Sequence, residues 1–326
     1  MQIKQVISYL ESIAPKTYQE SYDNAGLITG NPNWDITGVL ICLDSLEKVV
    51  DEAITLKANL IVAHHPIVFK GLKKINGKNY VERIIIKAIK NDIALYAIHT
   101  NLDNVYGGVN SMIGKKLGLI NTKILAPKGK MQAIHTTVPS TYIKSIESKL
   151  KGSNIVIQVI GDQMQVRFPD SQQNFVMKVL NEFSVKSSVF QIEDINQKMG
   201  SGLIGELAEE METSAFFQHL KNVMDISVIR HTELVKEKIK KVALCGGSGS
   251  FLLQHAKSHG ADIYISSDFK YHEFFDADGA IIIADIGHFE SEQYTINLLY
   301  ETINQKFSNF AVHCTKINTN PIKYYI

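Results

Sequence analysis

Imidazole and carboxylate side chains gather at three points of this chain, each directly after a short apolar run. His64-His65-Pro66 follows Leu60-Ile-Val-Ala63, His99-Thr-Asn-Leu-Asp103 follows Ile93-Ala-Leu-Tyr-Ala-Ile98, and Asp285-Ile-Gly-His288-Phe-Glu-Ser-Glu292 follows Ala280-Ile-Ile-Ile-Ala284. Each group alone has an ordinary structural reading. Successive strand side chains point to opposite faces, so His64 and His65 could be one core and one surface residue. Pro66, however, restrains His65 to an extended conformation and marks the chain leaving the sheet, where a bend can turn both rings into one cavity. His99 and Asp103, taken singly, read as solvated loop residues. His288 and Glu292 are four apart at a helix start and share a face, although a carboxylate there also suits the helix dipole. Convergence from three strand ends makes coincidence improbable. Imidazole with carboxylate suits Zn, Mn, Fe, Co or Ni, and no cysteine accompanies them. Five ligands (His64, His65, Asp103, His288 and Glu292) are too many for one tetrahedral catalytic ion. They suit two divalent ions a few ångströms apart that share a carboxylate and a water.

That convergence needs a particular frame, because open α/β sheets bind ligands outside the carboxyl ends of their strands. Gly38-Val-Leu-Ile-Cys-Leu43 has the continuous apolar run of a strand buried on both faces. Asp44-Ser45 then opens a helical pattern through Leu46, Val49, Val50, Ala53 and Ile54. Leu60 to Ala63 predicts a strand, Tyr80 to Lys90 a helix and Ile93 to Ile98 a third strand, the rhythm of a parallel sheet flanked by helices. The last third repeats it. Strands are expected at Val242 to Cys245, Ile263 to Ile265, Ala280 to Ala284 and Phe310 to Cys314. The intervening helices are expected over Phe251 to Ser258, Glu273 to Ala277 and Glu290 to Phe307. Val39 and Leu60 are 21 residues apart, as are Val242 and Ile263, and both first strands carry Val-x-x-Cys. The halves therefore read as an internal duplication.

Between them lies a strand from Met131 to Pro139, a helix from Thr141 to Leu150, and strands from Asn154 to Ile160 and Gln163 to Phe168. A helix from Gln172 to Phe183 and a strand from Val185 to Ile192 complete the β-α-β-β-α-β order of a ferredoxin-like unit. The expectation is an α/β protein with a first lobe over 1–130, an inserted domain over 131–199 and a second lobe over 200–326.

Composition agrees with this size and class. At 326 residues the chain exceeds the ~100–200 residues of one ordinary domain. Apolar residues make up 45% and charged residues 21%, which excludes a disordered chain. A net charge of +1 argues against a surface built throughout to grip nucleic acid or anionic lipid. No apolar run approaches the ~20 residues of a membrane span. The segment Met1-Gln-Ile-Lys-Gln5 enters a helical pattern without a signal-peptide core, so a cytoplasmic protein is expected. Cys42, Cys245 and Cys314 sit far apart in apolar stretches and read as buried reduced thiols.

Several motifs together resemble one known family. Ser21-Tyr-Asp-Asn-Ala-Gly-Leu27, Ala63-His-His-Pro66, His99-Thr-Asn-Leu-Asp103, Gly200-Ser-Gly202, Ser267-Asp-Phe-Lys-Tyr-His272 and Gly287-His-Phe-Glu-Ser-Glu292 are similar to those of the GTP cyclohydrolase 1 type 2 homologs, or Nif-three-like proteins. The motifs run in family order along the chain outside the insert; Tyr22 stands where the family usually has Trp, and the insert is shorter than in many long members. The resemblance implies two similar intertwined α/β lobes, in α/β/α layers, around a dinuclear metal centre, and a homohexameric ring. It implies that His65 and Asp103 bind one ion, that His64 and His288 bind the other, and that Glu292 bridges them. His99 and His272 match positions lining the site, as outer-shell groups or proton carriers.

Two glycine motifs need separate readings. Gly200-Ser-Gly-Leu-Ile-Gly205 fits G-x-G-x-x-G, but no apolar strand precedes it, so it reads as the chain re-entering the main body. Cys245-Gly-Gly-Ser-Gly249 follows a strand and opens a helix, and is either an anion cradle or a tight turn. Lys70, Lys73, Lys74 and Lys78 form a basic loop, solvated or steering phosphate. The sequence points to a metal-dependent hydrolase acting on a small nucleotide-type substrate. The alternatives are a non-enzymatic metal-binding or regulatory ring, or a ring that encircles nucleic acid, which the net charge disfavours.

Overall fold

The apolar runs Gly38–Cys42 and Leu60–Ala63 lie side by side as parallel strands, buried along their whole length. A computed structural model describes residues 1–150, 155–195 and 198–325. Within these the chain divides into two compact units, one of residues 1–125 with 201–326 and one of residues 126–200.

The larger unit holds two sheets. The first has five strands in the order Gly26–Thr29, Ala94–Ala97, Leu60–Ala63, Gly38–Cys42 and Ala311–Cys314. Only Gly26–Thr29 pairs antiparallel with its neighbour; the other pairings are parallel. Alternation then sorts the side chains. Leu40, Ile61 and Leu95 meet Val49, Val50 and Ala53 of helix Glu47–Thr55, and Ile84, Ile85 and Ala88 of helix Tyr80–Lys90. The opposite face sends Val39, Ile41, Leu60 and Val62 into an apolar cluster with Ile3, Val6 and Leu10 of helix Ile3–Ile13. Val242, Leu244, Ile263 and Ile265 of the second sheet belong to that same cluster. Each such side chain, fully buried, contributes roughly 1.5–3 kcal/mol, which is what fixes the strand ends relative to one another.

The second sheet has six strands in the order Arg230–His231, Ile282–Asp285, Ile263–Ser267, Lys238–Ser248, Gly200–Glu212 and Ile120–Pro127. Its central pairings, Lys238–Ser248 with Ile263–Ser267 and that strand with Ile282–Asp285, are parallel. Val39 lies opposite Leu60 in the first sheet and Val242 opposite Ile263 in the second, so the equal spacings correspond to equal register.

The smaller unit has a four-stranded antiparallel sheet in the order Val156–Ile160, Gln163–Pro169, Lys130–Thr137 and Ser188–Ile195. Helices Ser140–Leu150 and Gln173–Glu182 contribute Ile146, Leu150, Val176, Val179 and Leu180 to its own core with Ile134, Val166 and Phe168. Asn154, expected to begin a strand, lies outside the described residues.

Three expectations are corrected. The helix expected from Glu290 to Phe307 is two helices, His288–Glu292 and Thr295–Lys306. At the break the Gln293 side chain donates to the Glu290 carbonyl, which a continuous helix would have used itself. The strand at the end of the second half, Ala311–Cys314, joins the first sheet beside Gly38–Cys42. Gly200–Glu212 is a strand of 13 residues, and within it Gly205 admits the Ile120 carbonyl where a Cβ would sit 3.0 Å away. Cys42 and Cys245 are buried, Cys314 is partly buried, and none of the three forms a disulfide. Among the described residues no helix is long and apolar enough to cross a membrane.

Candidate metal centre

The strand ends at Ala63 and the chain bends, with successive N–H groups aimed at one neighbour: His64 N–H donates to the Cys42 carbonyl and His65 N–H to the Leu43 carbonyl. The bend brings both rings to one place, their centroids 4.8 Å apart, with His64 fully buried and His65 17% exposed. Asp103 closes the one-turn helix Thr100–Asp103, for which His99 is the preceding cap residue. His288 and Glu292 begin and end the helix His288–Glu292, entered through Gly287 at φ +90°. That positive φ favours glycine, and a Cβ there would collide with the Glu290 carboxylate.

These elements bring five of the expected residues to one point. Glu292 Oε2 lies 3.0 Å from His65 Nε2 and 3.2 Å from His288 Nε2. Its Oε1 lies 3.7 Å from His64 Nε2, which is also 3.7 Å from Asp103 Oδ1. His65 Nε2 and His288 Nε2 are 3.4 Å apart. The ligand atoms fall into three overlapping groups, His64 with Asp103 and Glu292, His65 with His288 and Glu292, and His64 with His65 and His99. His64 meets Asp103 while His65 meets His288. His99 stands beside His64 and His65, its ring centroid 5.3 and 5.4 Å from theirs. His272 is not brought to the cluster. It is exposed on the turn Tyr271–Ala277 with its ring against Tyr271 and Phe275.

Each imidazole is held from behind through Nδ1. His64 Nδ1 lies 2.9 Å from the Ile98 carbonyl, and His65 Nδ1 lies 2.9 Å from Asp44 Oδ1. His99 Nδ1 lies 2.8 Å from Asp23 Oδ1, and His288 Nδ1 lies 2.6 Å from Asp268 Oδ2. An Nδ1–H donated to oxygen leaves Nε2 as the lone-pair nitrogen facing the cluster, the tautomer a metal ligand requires. Asp23, Asp44 and Asp268 were not singled out from the sequence. Asp23 and Asp268 lie inside motifs quoted above, and Asp44 follows a strand end, so the edge rule that found the histidines also points to it.

Charge is unevenly resolved in the protein by itself. Burial opposes a proton on His65, but the Asp44 and Glu292 carboxylates outweigh it and raise its pKa to about 10. Burial likewise opposes a proton on His288, yet Asp268 and Glu292 raise it to about 11. Burial holds the His64 pKa down. Burial, and then the Glu292 charge, push Asp103 well above the ordinary carboxylate range. For Glu292 burial pulls upward, but His64, His288 and His65 together hold it well below that range. Asp23 is lowered to about 2: burial works against it, and the hydrogen bonds from His99 and Thr100 prevail. His64 Nε2 and Asp103 Oδ1 are buried with no hydrogen-bond partner. Orphaned buried donor atoms facing a carboxylate are the signature of a site completed by a cation, and the donor set of three imidazoles and two carboxylates suits borderline divalent transition ions.

The cluster forms the floor of a cavity of about 1090 Å³, with Tyr22, Phe69, Phe251, Lys48 and Lys323 among its lining. None of Lys70, Lys73, Lys74 and Lys78 lines it. Residues 245–248 form the end of the strand Lys238–Ser248, and two of their amides are already taken. Gly246 N–H donates to Asn110 Oδ1 and Gly247 N–H to Ser291 Oγ. Gly247 has φ +63°, and a Cβ there would collide with the Glu292 carboxylate, so the glycine makes room for that ligand.

Comparison with known proteins gives concordant results. The family model described as Duf34/NIF3 (NGG1p interacting factor 3) matches residues 1–321. Proteins named GTP cyclohydrolase 1 type 2 homolog are similar to this chain along its length. That of Staphylococcus epidermidis is 31% identical, covering 99% of this chain and 100% of its own. That of Bacillus subtilis is 29% identical, covering 98% of each. These alignments run over 367 and 365 residues against a chain of 326, so both relatives carry residues that this chain lacks. A solved structure described as a Bacillus cereus protein related to NIF3 matches with a TM-score of 0.84 at 33% identity, covering 100% of this chain and 99% of that one.

Proposed function

The chain belongs to the Duf34/NIF3 family, and from that premise we propose that it is a dinuclear metal-dependent hydrolase acting on a nucleotide-type substrate. The observation that carries this reading is the pair of orphaned buried atoms, His64 Nε2 and Asp103 Oδ1, facing Glu292 on the floor of a large cavity. His64 and Asp103 would hold one ion and His65 and His288 the other, with Glu292 shared between them. When bound, the two ions supply Lewis acidity to a substrate oxygen and to water. The chain's own residues do the rest. Asp23 fixes His99 through Nδ1, so that Nε2 can accept a proton or return one at the cavity. We assign proton transfer to His99 and not to the exposed His272. Asp44 and Asp268 keep the Nε2 atoms of His65 and His288 turned inward. The aromatic side chains of Tyr22, Phe69 and Phe251 offer faces for a base, and Lys48 and Lys323 offer charge for phosphate. The relatives' names contribute the nucleotide class and nothing about the bond broken.

The same reading extends to architecture. Equal register in the two sheets of the larger unit supports two duplicated lobes, intertwined where Ala311–Cys314 joins the first sheet. The strand order of the smaller unit, with each of its two helices between strands, supports a ferredoxin-like domain over 131–199. A homohexamer follows from the family resemblance, and light scattering returning a monomer mass at micromolar concentration would refute it.

Turnover of a nucleotide and phosphoester panel, with Mn, Zn or Fe supplied, is the deciding experiment. Activity is expected with at least one ion and is expected to vanish in Glu292→Gln. A metal-loaded protein inert across the panel overturns the hydrolase and leaves a metal-binding protein.

A further inference from the structure

Beyond Cys314 the chain leaves the sheet and crosses the candidate metal centre as an extended segment without helix or strand. Thr315 N–H still donates to the Ile41 carbonyl, the last bond of the ladder. From there the segment is held by side chains. Thr319, 5% exposed, donates from Oγ1 to Asp44 Oδ2 at 2.6 Å, while the other oxygen of Asp44 faces His65 Nδ1. The next residue reaches the opposite side: Asn320 Nδ2 donates to Glu290 Oε1 at 2.9 Å. Glu290 lies between His288 and Glu292 on their short helix, beside the Tyr324 hydroxyl. Asn320 is itself oriented, because its Oδ1 accepts from Ile322 N–H and its own N–H donates to Asn318 Oδ1. Asn318, Pro321, Ile322 and Lys323 line the cavity above the ligands.

We propose that residues 317–324 form a strap that positions the ligands of both halves of the centre. Thr319 holds His65 through Asp44, and Asn320 holds the His288–Glu292 helix through Glu290. The reason is geometric. A carboxylate that accepts only from an imidazole can swing about its own Cα–Cβ and Cβ–Cγ bonds, and the imidazole swings with it. A second donor on the other oxygen fixes the carboxylate plane and therefore the direction of Nε2. Thr319 and Asn320 are positioning residues, since neither touches the cluster. Being adjacent, they tie the two sides of the centre by a link one residue long.

The inference rests on the metal-binding reading, and the test separates the two. Metal titration by calorimetry is run on the whole chain as wild type, Thr319→Val, Thr319→Ser, Asn320→Leu and Asp44→Ala, with and without Thr319→Val in the last. Outer-shell changes cost ~10–100-fold in affinity, and Thr319 acts one bond further out, so Thr319→Val is expected to weaken one of two ions by about 3–10-fold. Thr319→Ser restores wild-type affinity, and Thr319→Val adds nothing in the Asp44→Ala background. Asn320→Leu weakens binding by a similar factor, and the cobalt spectrum shifts in both valine and leucine variants. Wild-type affinity and spectrum in Thr319→Val, or an undiminished loss in the Asp44→Ala background, overturn the strap and leave the metal centre standing. A wild-type protein that takes up no metal overturns the centre, and the strap with it.

Discussion

In the first sheet Val39 lies opposite Leu60, and in the second Val242 lies opposite Ile263, so one can count outward from equivalent pairs. Cys42 then corresponds to Cys245, Asp44 to Gly247, and His64 and His65 to Ser267 and Asp268. The same backbone edge does different work in the two places. In the first sheet it presents two imidazoles, His65 braced by Asp44 and His64 by the Ile98 carbonyl. In the second, Ser267 donates to the Gly247 carbonyl, and Asp268 braces an imidazole from the next loop. Those next loops also correspond, since each third strand runs into a single helical turn, Thr100–Asp103 or His288–Glu292. Asn104 occupies the place of Glu292, and it bonds to the Tyr18 carbonyl and the Ser201 hydroxyl. Sheets of equal register therefore need not present the same chemistry. One edge offers three of the clustered residues and the other offers two.

This asymmetry predicts unequal damage, greatest where the two sides meet. Glu292→Gln keeps the shape of the side chain but removes the charge shared by both ligand sets. Its negative charge also offsets repulsion between two nearby dications. Both affinities should fall by more than the ~100-fold typical of a severe outer-shell change. His64→Ala and His65→Ala should each weaken mainly one ion, leaving a half-loaded centre. Calorimetric titration distinguishes the patterns, and two ions at wild-type affinity in Glu292→Gln would mean that Glu292 is not shared.

Bracing comes next in size. Asp44→Asn and Asp268→Asn replace a charged acceptor on opposite sides of the comparison. Each should cost ~10–100-fold in affinity for the ion bound by His65 and His288. The two changes should be non-additive, because both act on that one site. Strict additivity in the double variant would place His65 and His288 on different ions.

Acidity offers a subtler probe of the same pair. In metal-free protein the pKa values of His65 and His288 are raised to about 10 and about 11. A raised folded-state pKa contributes stability that is complete below the ordinary value of ~6.5 and lost as pH climbs through the raised one. The chelated protein should therefore lose melting temperature between pH 7 and 11. Ions need those nitrogens without protons, so metal affinity should rise over the same interval, and loading at pH 7.5 should release about two protons. Calorimetry in buffers of different ionisation enthalpy measures that release. No proton release would show that the imidazoles are already neutral.

The ligands were legible because strand ends advertise themselves: an apolar run stops, and the residues after it must face the sheet edge. The braces were harder to read. Asp44 and Thr319 are 275 positions apart, and their contact depends on Ala311–Cys314 joining the first sheet, which no periodicity announces. Gly200–Glu212 was missed as a strand for a related reason. Its glycines admit neighbouring backbone and its last third is largely Glu, so it lacks the apolar alternation of a half-buried strand. The approach of His64 to Asp103 follows a bend just past Ala63, a detail of backbone geometry that residue types do not encode.

The smallest effect is expected from the largest excision. The comparison confines the whole centre to the two sheets of the larger unit, so residues 131–199 should contribute nothing to metal affinity. The chain enters and leaves this segment at close quarters, since Lys128 N–H donates to the Met199 carbonyl at 2.8 Å, so a short linker can join the ends. The excised segment takes its own core of Ile134, Ile146, Val166, Phe168 and Leu180 with it. Deletion of 131–199 with a short linker should therefore leave both affinities within about twofold of wild type, as for energetically independent regions. Titration of the soluble deletion variant measures this directly. A variant that stays folded but loses an ion would mean that the two sheets are not sufficient to hold the centre, and that the boundaries at 131 and 199 cut through something the ligands need.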